Sequence, residues 1–428
     1  MTKPLRLGIA GLGTVGVGVI KIIQNKLSLL EARTGRQILI SAVTAKSKTK
    51  DRGIDLSSYQ WERDPISLAK REDIDVFIEL IGGHEGVAKD AVEIAISKGK
   101  NVITANKALL AHHGHKLALK AEENGSILRF EAAVAGGIPV IKCLKEGLAG
   151  NSINRIMGVM NGTCNYILTR MESSGLSYKE VFSEANDLGY LEADPNLDIG
   201  GIDAAHKLSI LSSIAFGTEI NFHGVELEGI DKITINDIHQ AADMGFRIKL
   251  LGVSQMSNSG VEQKMSPCLV PATSPLGQLE GGTNMIVIEG DQVGQIVLRG
   301  AGAGEGPTAS AVISDVMDLA RGISVATFGQ PAKTLLKMLS SKSKTPAPYY
   351  LRMLLHDEPG ALAKITKILS QFNVSIDRMR QYGHEDDNAP VLIVTHEITH
   401  EDLMTAIKEL PNTKVLKAQP LAIRIETV

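Results

Sequence analysis

Cysteine is scarce. Only Cys143, Cys164 and Cys268 occur in 428 residues, and no two of them form a C-x-x-C pair. Neither a disulfide framework nor a zinc site of the usual spacing is therefore expected, and a reducing compartment is. An excess of either charge is also missing: 45 Lys and Arg face 48 Asp and Glu, a formal net charge of −3. General nucleic-acid and membrane-surface binders depend on clustered cations, so neither partner is expected. No apolar run approaches the ~18 residues of a membrane helix. The stretch Leu7–Ile20 follows Lys3 and Arg6, yet it carries five glycines (Gly8, Gly11, Gly13, Gly16, Gly18) and no small-residue cleavage site. It does not read as a secretory leader, and a cytoplasmic location is expected.

Apolar residues make up 43% of the chain and charged residues 22%, enough to bury a core in each of two or three domains of about 150 residues. The first hundred residues alternate strand-like and helical patterns. Strands are predicted at Leu5–Ala10, Gln37–Thr44, Asp75–Ile81 and Asn101–Ala105, with helices at Thr14–Leu30 and Gly86–Lys98. Continuous apolar strands separated by helices predict an α/β fold with a doubly wound parallel sheet. The middle is less regular, with one long helix at Gly201–Phe216 and strands near Met285–Glu289 and Gln295–Leu298. A glycine-dense stretch, Gly300–Gly306, leads through Pro307 into a helix at Thr308–Arg321. Ser340–Pro348 reads as a linker. After it come strand Tyr349–His356, helix Ala361–Asn373, strands Val374–Gln381 and Pro390–Glu397, helix His400–Leu410 and strand Val415–Ile425, the ferredoxin-like β-α-β-β-α-β order.

Gly11-Leu12-Gly13-Thr14-Val15-Gly16 is a G-x-G-x-x-G turn between a strand and a helix. Its glycines allow a tight turn, a close pyrophosphate and close helix packing, while the helix N-terminus holds the phosphates. The second strand ends at Ala45 without the acid that usually accepts from a ribose 2′-OH; Lys46, Lys48, Lys50 and Arg52 follow instead. These cations favour a 2′-phosphate and hence NADP over NAD, with a solvated basic loop as the competing reading. Thr104-Ala105-Asn106-Lys107 lies where open α/β sheets bind ligands. Asp203 and Lys207 stand four apart on one helix face, after Glu192, Asp194 and Asp198. Such a pair is either an ordinary surface ion pair or a proton donor held charged in a cleft, with the other acids facing a substrate ammonium. His112, His113 and His115 are placed on a helix surface rather than at a metal.

Together these motifs resemble the homoserine dehydrogenases. The resemblance is carried by the GLGTVG turn, TANKALLA at Thr104–Ala111, EAAVAGGIPVI at Glu131–Ile141 and GVMNGTCNYIL at Gly158–Leu168. It continues through DLGYLEADPNLDIGGIDAAHKLSIL at Asp187–Leu211 and GAGAGEGPTASAVISD at Gly300–Asp315. It implies NAD(P)H-dependent, reversible reduction of L-aspartate 4-semialdehyde to L-homoserine, on the route to threonine, methionine and isoleucine. It implies Lys207 as proton donor, Lys107 near the reacting carbon, and Asp203 beside the substrate hydroxyl. Glu192 would hold the substrate amino group, with Asp198, Thr163 and Tyr190 elsewhere in the substrate pocket. Gly11, Gly13, Thr14, Val15, Gly16, Ala45, Lys46, Thr104, Asn106, Lys107 and Gly304 would contact the dinucleotide. A structural sodium ion is implied at Glu131, Val134, Gly136 and Ile138, and a homodimer or homotetramer as the assembly.

The last eighty residues resemble an ACT domain through Leu354-Leu355-His356-Asp357-Glu358-Pro359-Gly360-Ala361-Leu362. That resemblance implies feedback inhibition by threonine, with Asp357 and Gly360 at the effector site. The expected division is a Rossmann domain over 1–139 plus about 307–339, an α+β catalytic and dimerisation domain over 140–306, a linker over 340–348 and the ACT domain over 349–428. Deleting Tyr349–Val428 is expected to leave catalysis and abolish the inhibition. Two other readings stand beside this one. An aspartate-semialdehyde dehydrogenase would use Cys164 as nucleophile, and a non-catalytic nucleotide and amino-acid sensor would need no proton donor.

Overall fold

The apolar runs of the N-terminal half pair in parallel, as continuous β-branched strands flanked by helices should. The computed structural model describes residues 3–191, 195–258, 260–337, 344–382 and 388–427. In it β1 (Leu5–Ala10), β2 (Ile38–Thr44), β3 (Gln60–Trp61), β4 (Val76–Glu79), β5 (Asn101–Thr104) and β6 (Leu128–Arg129) form one parallel sheet in the order β3-β2-β1-β4-β5-β6. This is the order of the dinucleotide-binding fold, with its reversal point beside β1. Helices Thr14–Thr34 and Glu305–Arg321 cover one face, burying Val19, Ile20 and Ile23 with Ala309, Val312 and Val316. Helices Val87–Ser97 and Lys107–Glu123 cover the other, burying Ala91, Ala95, Leu110 and Leu117 against Phe77 and Val102. The first helix runs four residues past its predicted end at Leu30 because Gly35, at φ 65°, supplies the left-handed C-cap.

The second sheet is larger than the sequence pattern indicates. It contains β7 (Ile153–Val159), β8 (Glu226–Leu227), β9 (Phe246–Ser257), β10 (Gly260–Pro271), β11 (Thr283–Gly290), β12 (Gly294–Ala301), β13 (Tyr349–His356), β14 (Ile376–Gln381), β15 (Asn388–Thr395) and β16 (Leu421–Ile425). Their order is β12-β11-β7-β9-β10-β16-β13-β15-β14, with β8 also on β10. Strands β13 to β16 and helices Ala361–Gln371 and His400–Glu409 make the ferredoxin-like module, its helices packed on one face of the sheet. The last strand begins at Leu421 rather than Val415. Val415 is instead buried in the preceding turn, where its carbonyl accepts from the His356 N–H at 2.8 Å.

The C-terminal module is joined edge to edge with the middle of the chain. β10 and β16 pair in parallel through Cys268–Arg424 and Leu269–Ile425. Tyr350, Leu392, Val394 and Ile423 share a buried cluster with Ile238, Ala241 and Ile248. Arg352 Nε lies 2.7 Å from Asp237 Oδ1 on helix Ile235–Asp243. Removing Tyr349–Val428 would therefore open the edge of β10 at Cys268 and Leu269 and bare an apolar face, so the deletion expected to spare catalysis also carries a cost in stability. Of the predicted linker, 340–343 lie outside the described residues. Ala347 is buried and bridges to Ile398 within the module.

Candidate active site

The turn after β1 shows what each glycine does. Gly11 has φ 104°, and a Cβ there would lie 2.3 Å from the Leu80 carbonyl oxygen. One at Gly16 would lie 2.0 Å from the Gly11 oxygen, whereas one at Gly13 would meet nothing within 4 Å. The turn is closed by protein at two glycines and open at the third, where a pyrophosphate would approach. Gly13 caps helix Thr14–Thr34 without a side chain, leaving the first-turn N–H groups for an anion. A hollow of about 500 Å³ lies on one side of the turn, lined by Gly11, Gly13, Ala45, Lys46, Lys50 and Arg52. Arg52 donates to the carbonyls of Ser47 at 2.6 Å, Lys50 at 2.7 Å and Leu12 at 3.1 Å, so it also fixes the loop. Lys48 is exposed away from the hollow. Arg63, which the sequence reading did not single out, lines it.

Thr104 and Asn106 make hydrogen bonds within the protein. Thr104 Oγ1 donates to the buried Glu79 carboxylate at 2.5 Å and accepts from the Asn106 N–H at 2.9 Å. Asn106 caps helix Lys107–Glu123 through Leu109 N–H at 3.0 Å and donates to the Gly83 carbonyl at 2.7 Å. Neither lines a cleft; Ala105 and Lys107, their neighbours, do. Glu79 ties the β4 and β5 ends together and was missed, although an acid inside an apolar strand was the available signal.

On the other side of the turn, Val15 opens onto a cleft of about 610 Å³ that also takes in Lys107, Thr163, Tyr190, Asp198, Asp203 and Lys207. Helix Ile202–Phe216 carries Asp203 and Lys207 on one face. Lys207 Nζ donates to Asp203 Oδ2 at 2.7 Å and to the Met160 carbonyl at 2.8 Å. Lys107 Nζ, from the start of its own helix, reaches Asp203 Oδ1 at 2.8 Å as an ion pair. Asp203 is buried, which alone would raise its pKa, but Lys207 and Lys107 outweigh that and hold it well below the usual carboxylate range. Asn161, missed in the sequence, caps helix Gly162–Ser174 and donates from Nδ2 to Asp198 at 2.9 Å and Asp203 at 3.3 Å. Only its N-cap position before GTC was readable. Thr163 donates to the Tyr190 carbonyl at 3.0 Å, and the Tyr190 ring stacks on Tyr166 at 4.5 Å. Glu192 and Asp194 lie outside the described residues.

Cys164 is fully buried, and its thiol donates to the Asp198 carbonyl at 3.2 Å. Burial pushes its pKa well up, the opposite of what a thiolate nucleophile needs. Comparison with known proteins agrees with the geometry. Profiles of the homoserine dehydrogenase catalytic domain, its NAD-binding domain and the ACT domain match residues 139–317, 11–131 and 349–412. A homoserine dehydrogenase of Neisseria gonorrhoeae is 42% identical, over 100% of this chain and 99% of its own length. The chain belongs to the homoserine dehydrogenase family. One from Pseudomonas aeruginosa is 39% identical, over 99% of each chain. The crystal structure of a homoserine dehydrogenase from Thiobacillus denitrificans superposes with a TM-score of 0.94 at 37% identity, covering 99% of each. A hyperthermophilic archaeal homoserine dehydrogenase solved in complex with NADPH covers 76% of this chain and 100% of its own, at 27% identity and a TM-score of 0.63. Family membership makes the chain an oxidoreductase and removes both the thioester and the sensor readings.

The segment Glu131–Ile138 is where the sequence reading places a sodium ion. The Glu131 carboxylate accepts the N–H groups of Ile141 at 3.0 Å and Lys142 at 2.9 Å. Burial, with the Asp315 charge adding to it, pushes that carboxyl up to about 7. Ala135 and Gly136 turn the chain at φ 57° and 51°. Among the described residues no donor reaches the Val134 or Gly136 carbonyl, and the Ile138 carbonyl accepts once, from Val140 at 2.8 Å. Open backbone oxygens at a tight turn fit a hard monovalent cation. Gly304, at φ 117°, caps helix Glu305–Arg321 just after Gly302 and Ala303 of the cleft. In the ACT module, Gly360 caps helix Ala361–Gln371 at φ 85°, and Asp357 is exposed beside it.

Proposed function

We propose that the cleft around Asp203 reduces L-aspartate 4-semialdehyde to L-homoserine, with Lys207 giving the proton. The carrying observation is the donor count at Lys207. Its ammonium has three N–H groups, and two are spent on Asp203 and the Met160 carbonyl. The third is left for a carbonyl oxygen in the cleft. A bound nicotinamide dinucleotide supplies the hydride. Negative charge growing on the substrate oxygen is met by Lys207, with Lys107 adding a second cation on the same carboxylate. Asp203 balances both ammonium groups in a buried site and fixes their spacing. Asp198, buried in the cleft, and Glu192 are the acids for the substrate ammonium, with Thr163 and Tyr190 closing the pocket.

The remaining assignments belong to the same reading. The hollow beside Lys46, Lys50 and Arg52 takes the 2′-phosphate of NADP, supported by those cations and by the archaeal relative's NADPH complex. Thr14, Val15 and Gly16 open the helix whose N-terminus holds the pyrophosphate, and backbone oxygens of Glu131, Val134, Gly136 and Ile138 hold sodium. Residues 1–139 with about 307–339 form the dinucleotide domain, 140–306 the catalytic domain and 349–428 the ACT domain. The terminal strand β12, with Val297 about 40% exposed on it and Val293 about 40% exposed in the turn before it, supports pairing between copies as a homodimer or homotetramer. No helix of the described residues is long and apolar enough to cross a membrane, and a cytoplasmic enzyme is the reading adopted.

The test is homoserine oxidation by the full chain with NADP and with NAD, followed by dinucleotide absorbance. Turnover without added phosphate, at a higher kcat/KM for NADP, is expected; no turnover with either dinucleotide would overturn the reading. Threonine should inhibit the same assay. Asp357→Ala should raise the threonine needed for half-inhibition about tenfold, with uninhibited turnover unchanged.

A further inference from the structure

Lys145 is a buried amine without an acceptor. It sits in a π-helical turn, Cys143–Gly147, and is 7% exposed. Among the described residues, Lys145 makes no hydrogen bond and has no carboxylate within 4.0 Å. Its Nζ lies over the Phe130 ring, 5.5 Å from the centroid. Two other buried lysines are treated differently, whereas the ammonium of Lys100, also 7% exposed, is likewise without a hydrogen bond among the described residues but lines none of the pockets described. Lys207 has Asp203 and a carbonyl, and Lys249 has Asn165 Oδ1 at 3.1 Å and the Leu279 carbonyl. Burial lowers the Lys145 pKa to about 8, with Arg129 adding to the fall, and the more distant Asp315, Glu131 and Glu146 only oppose it. A buried cation with no carboxylate in contact is costly, and a partner arriving from outside would lower that cost.

Lys145 lines a pocket of about 480 Å³, within the size range of small-molecule sites. Ile214, Phe216 and Phe328 form its apolar walls. Two side-chain amides on its rim are already in use: Asn151 donates to the Leu148 carbonyl, and Gln330 donates to Thr334. Lys145 is thus left to recognise an anion. The pocket shares no lining residue with the catalytic cleft. It lies at the far end of helix Ile202–Phe216, nine residues or about 14 Å along the axis from Lys207.

We propose that this pocket binds a small aliphatic carboxylate, its head on the Lys145 ammonium and its tail against Ile214, Phe216 and Phe328. The apolar walls select against inorganic anions. The carbonyl end of the helix, negative by its dipole, turns the carboxylate toward Lys145 and leaves the tail at the helix end.

Isovalerate is the probe, titrated into the full-length enzyme by calorimetry. Saturable binding is expected, weakened more than tenfold in Lys145→Met, with dehydrogenase turnover in that variant confirming the fold. Equal binding in Lys145→Met, or none in the unaltered enzyme, would overturn the proposal. So would inorganic phosphate displacing isovalerate at equal concentration. A second measurement needs no variant. Isovalerate should slow acetylation of Lys145 by acetic anhydride at least fivefold, read by peptide mass spectrometry, and unchanged labelling would contradict the assignment.

Discussion

The parallel sheet offers its ligand mainly backbone: a turn with one open glycine, a helix N-terminus without a side-chain cap, and a few loop cations around them. The ten-stranded side of the molecule offers side chains instead. There Asp203 gathers Lys207 from its own helix and Lys107 from a helix of the parallel sheet, and Asn161 gathers two aspartates. Backbone binding is spread over many weak donors and tolerates single changes. A buried charge set does not, because removing one member strands the others in low dielectric. The two halves of one cleft should therefore fail in different ways.

The sharpest break is on the side-chain half. Lys207→Met should lower kcat about a thousandfold with KM changed little, the loss expected of a general acid. Asp203→Asn should cost about a hundredfold in kcat, since the amide no longer balances the two ammonium groups in the buried site. A kcat within tenfold of the unaltered enzyme in Lys207→Met would place the proton donor elsewhere.

The next effect concerns stability at the seam between the halves. His206 packs on His112 at 5.5 Å and on Phe222 at 4.4 Å, and His84 stacks on His112 at 4.4 Å. Burial, with the His112 charge adding to it and Asp203 opposing, lowers the His206 pKa to about 4. The unfolded chain takes up a proton near pH 6.5 that the folded chain refuses until about pH 4. His206 thus contributes stability that is full above pH 6.5 and is lost as pH falls toward 4, about 3 kcal/mol in all. Urea midpoints across that window should fall less steeply in His206→Gln; an unaltered slope would mean that His206 titrates normally.

The smallest effect tests the nucleotide half. The double change Lys46→Met, Lys50→Met should raise KM for NADPH about tenfold, in the range of one or two charge-assisted hydrogen bonds, and leave KM for NADH within about twofold. An equal rise for both dinucleotides would reduce the cations to a general field.

Legibility in the sequence follows the same division. The glycine spacing, the strand ends and the Asp203–Lys207 helix spacing are local, so the parallel sheet and half of the charge set could be read directly. What joins residues far apart in sequence could not. The β10–β16 pairing links Leu269 to Ile425, and no periodicity marks it. Asn161 looks like an ordinary N-cap until the fold brings Asp198 and Asp203 to its amide. The histidines expected on a helix surface divide likewise. His113 pairs with Glu85 at 2.7 Å, while His112 is drawn into the seam by His84 and His206. The cofactor reading of Thr104 and Asn106 rests on their place at the end of β5, and the sequence does not show that Glu79 and Gly83 also engage their side chains.

The most direct test is a crystal structure of the enzyme with NADP and homoserine bound together. Lys207 Nζ should lie within about 3 Å of the homoserine hydroxyl oxygen while still donating to Asp203, as a proton transfer requires. A hydroxyl oxygen more than about 4 Å from Lys207, with another acid in contact, would contradict the mechanism.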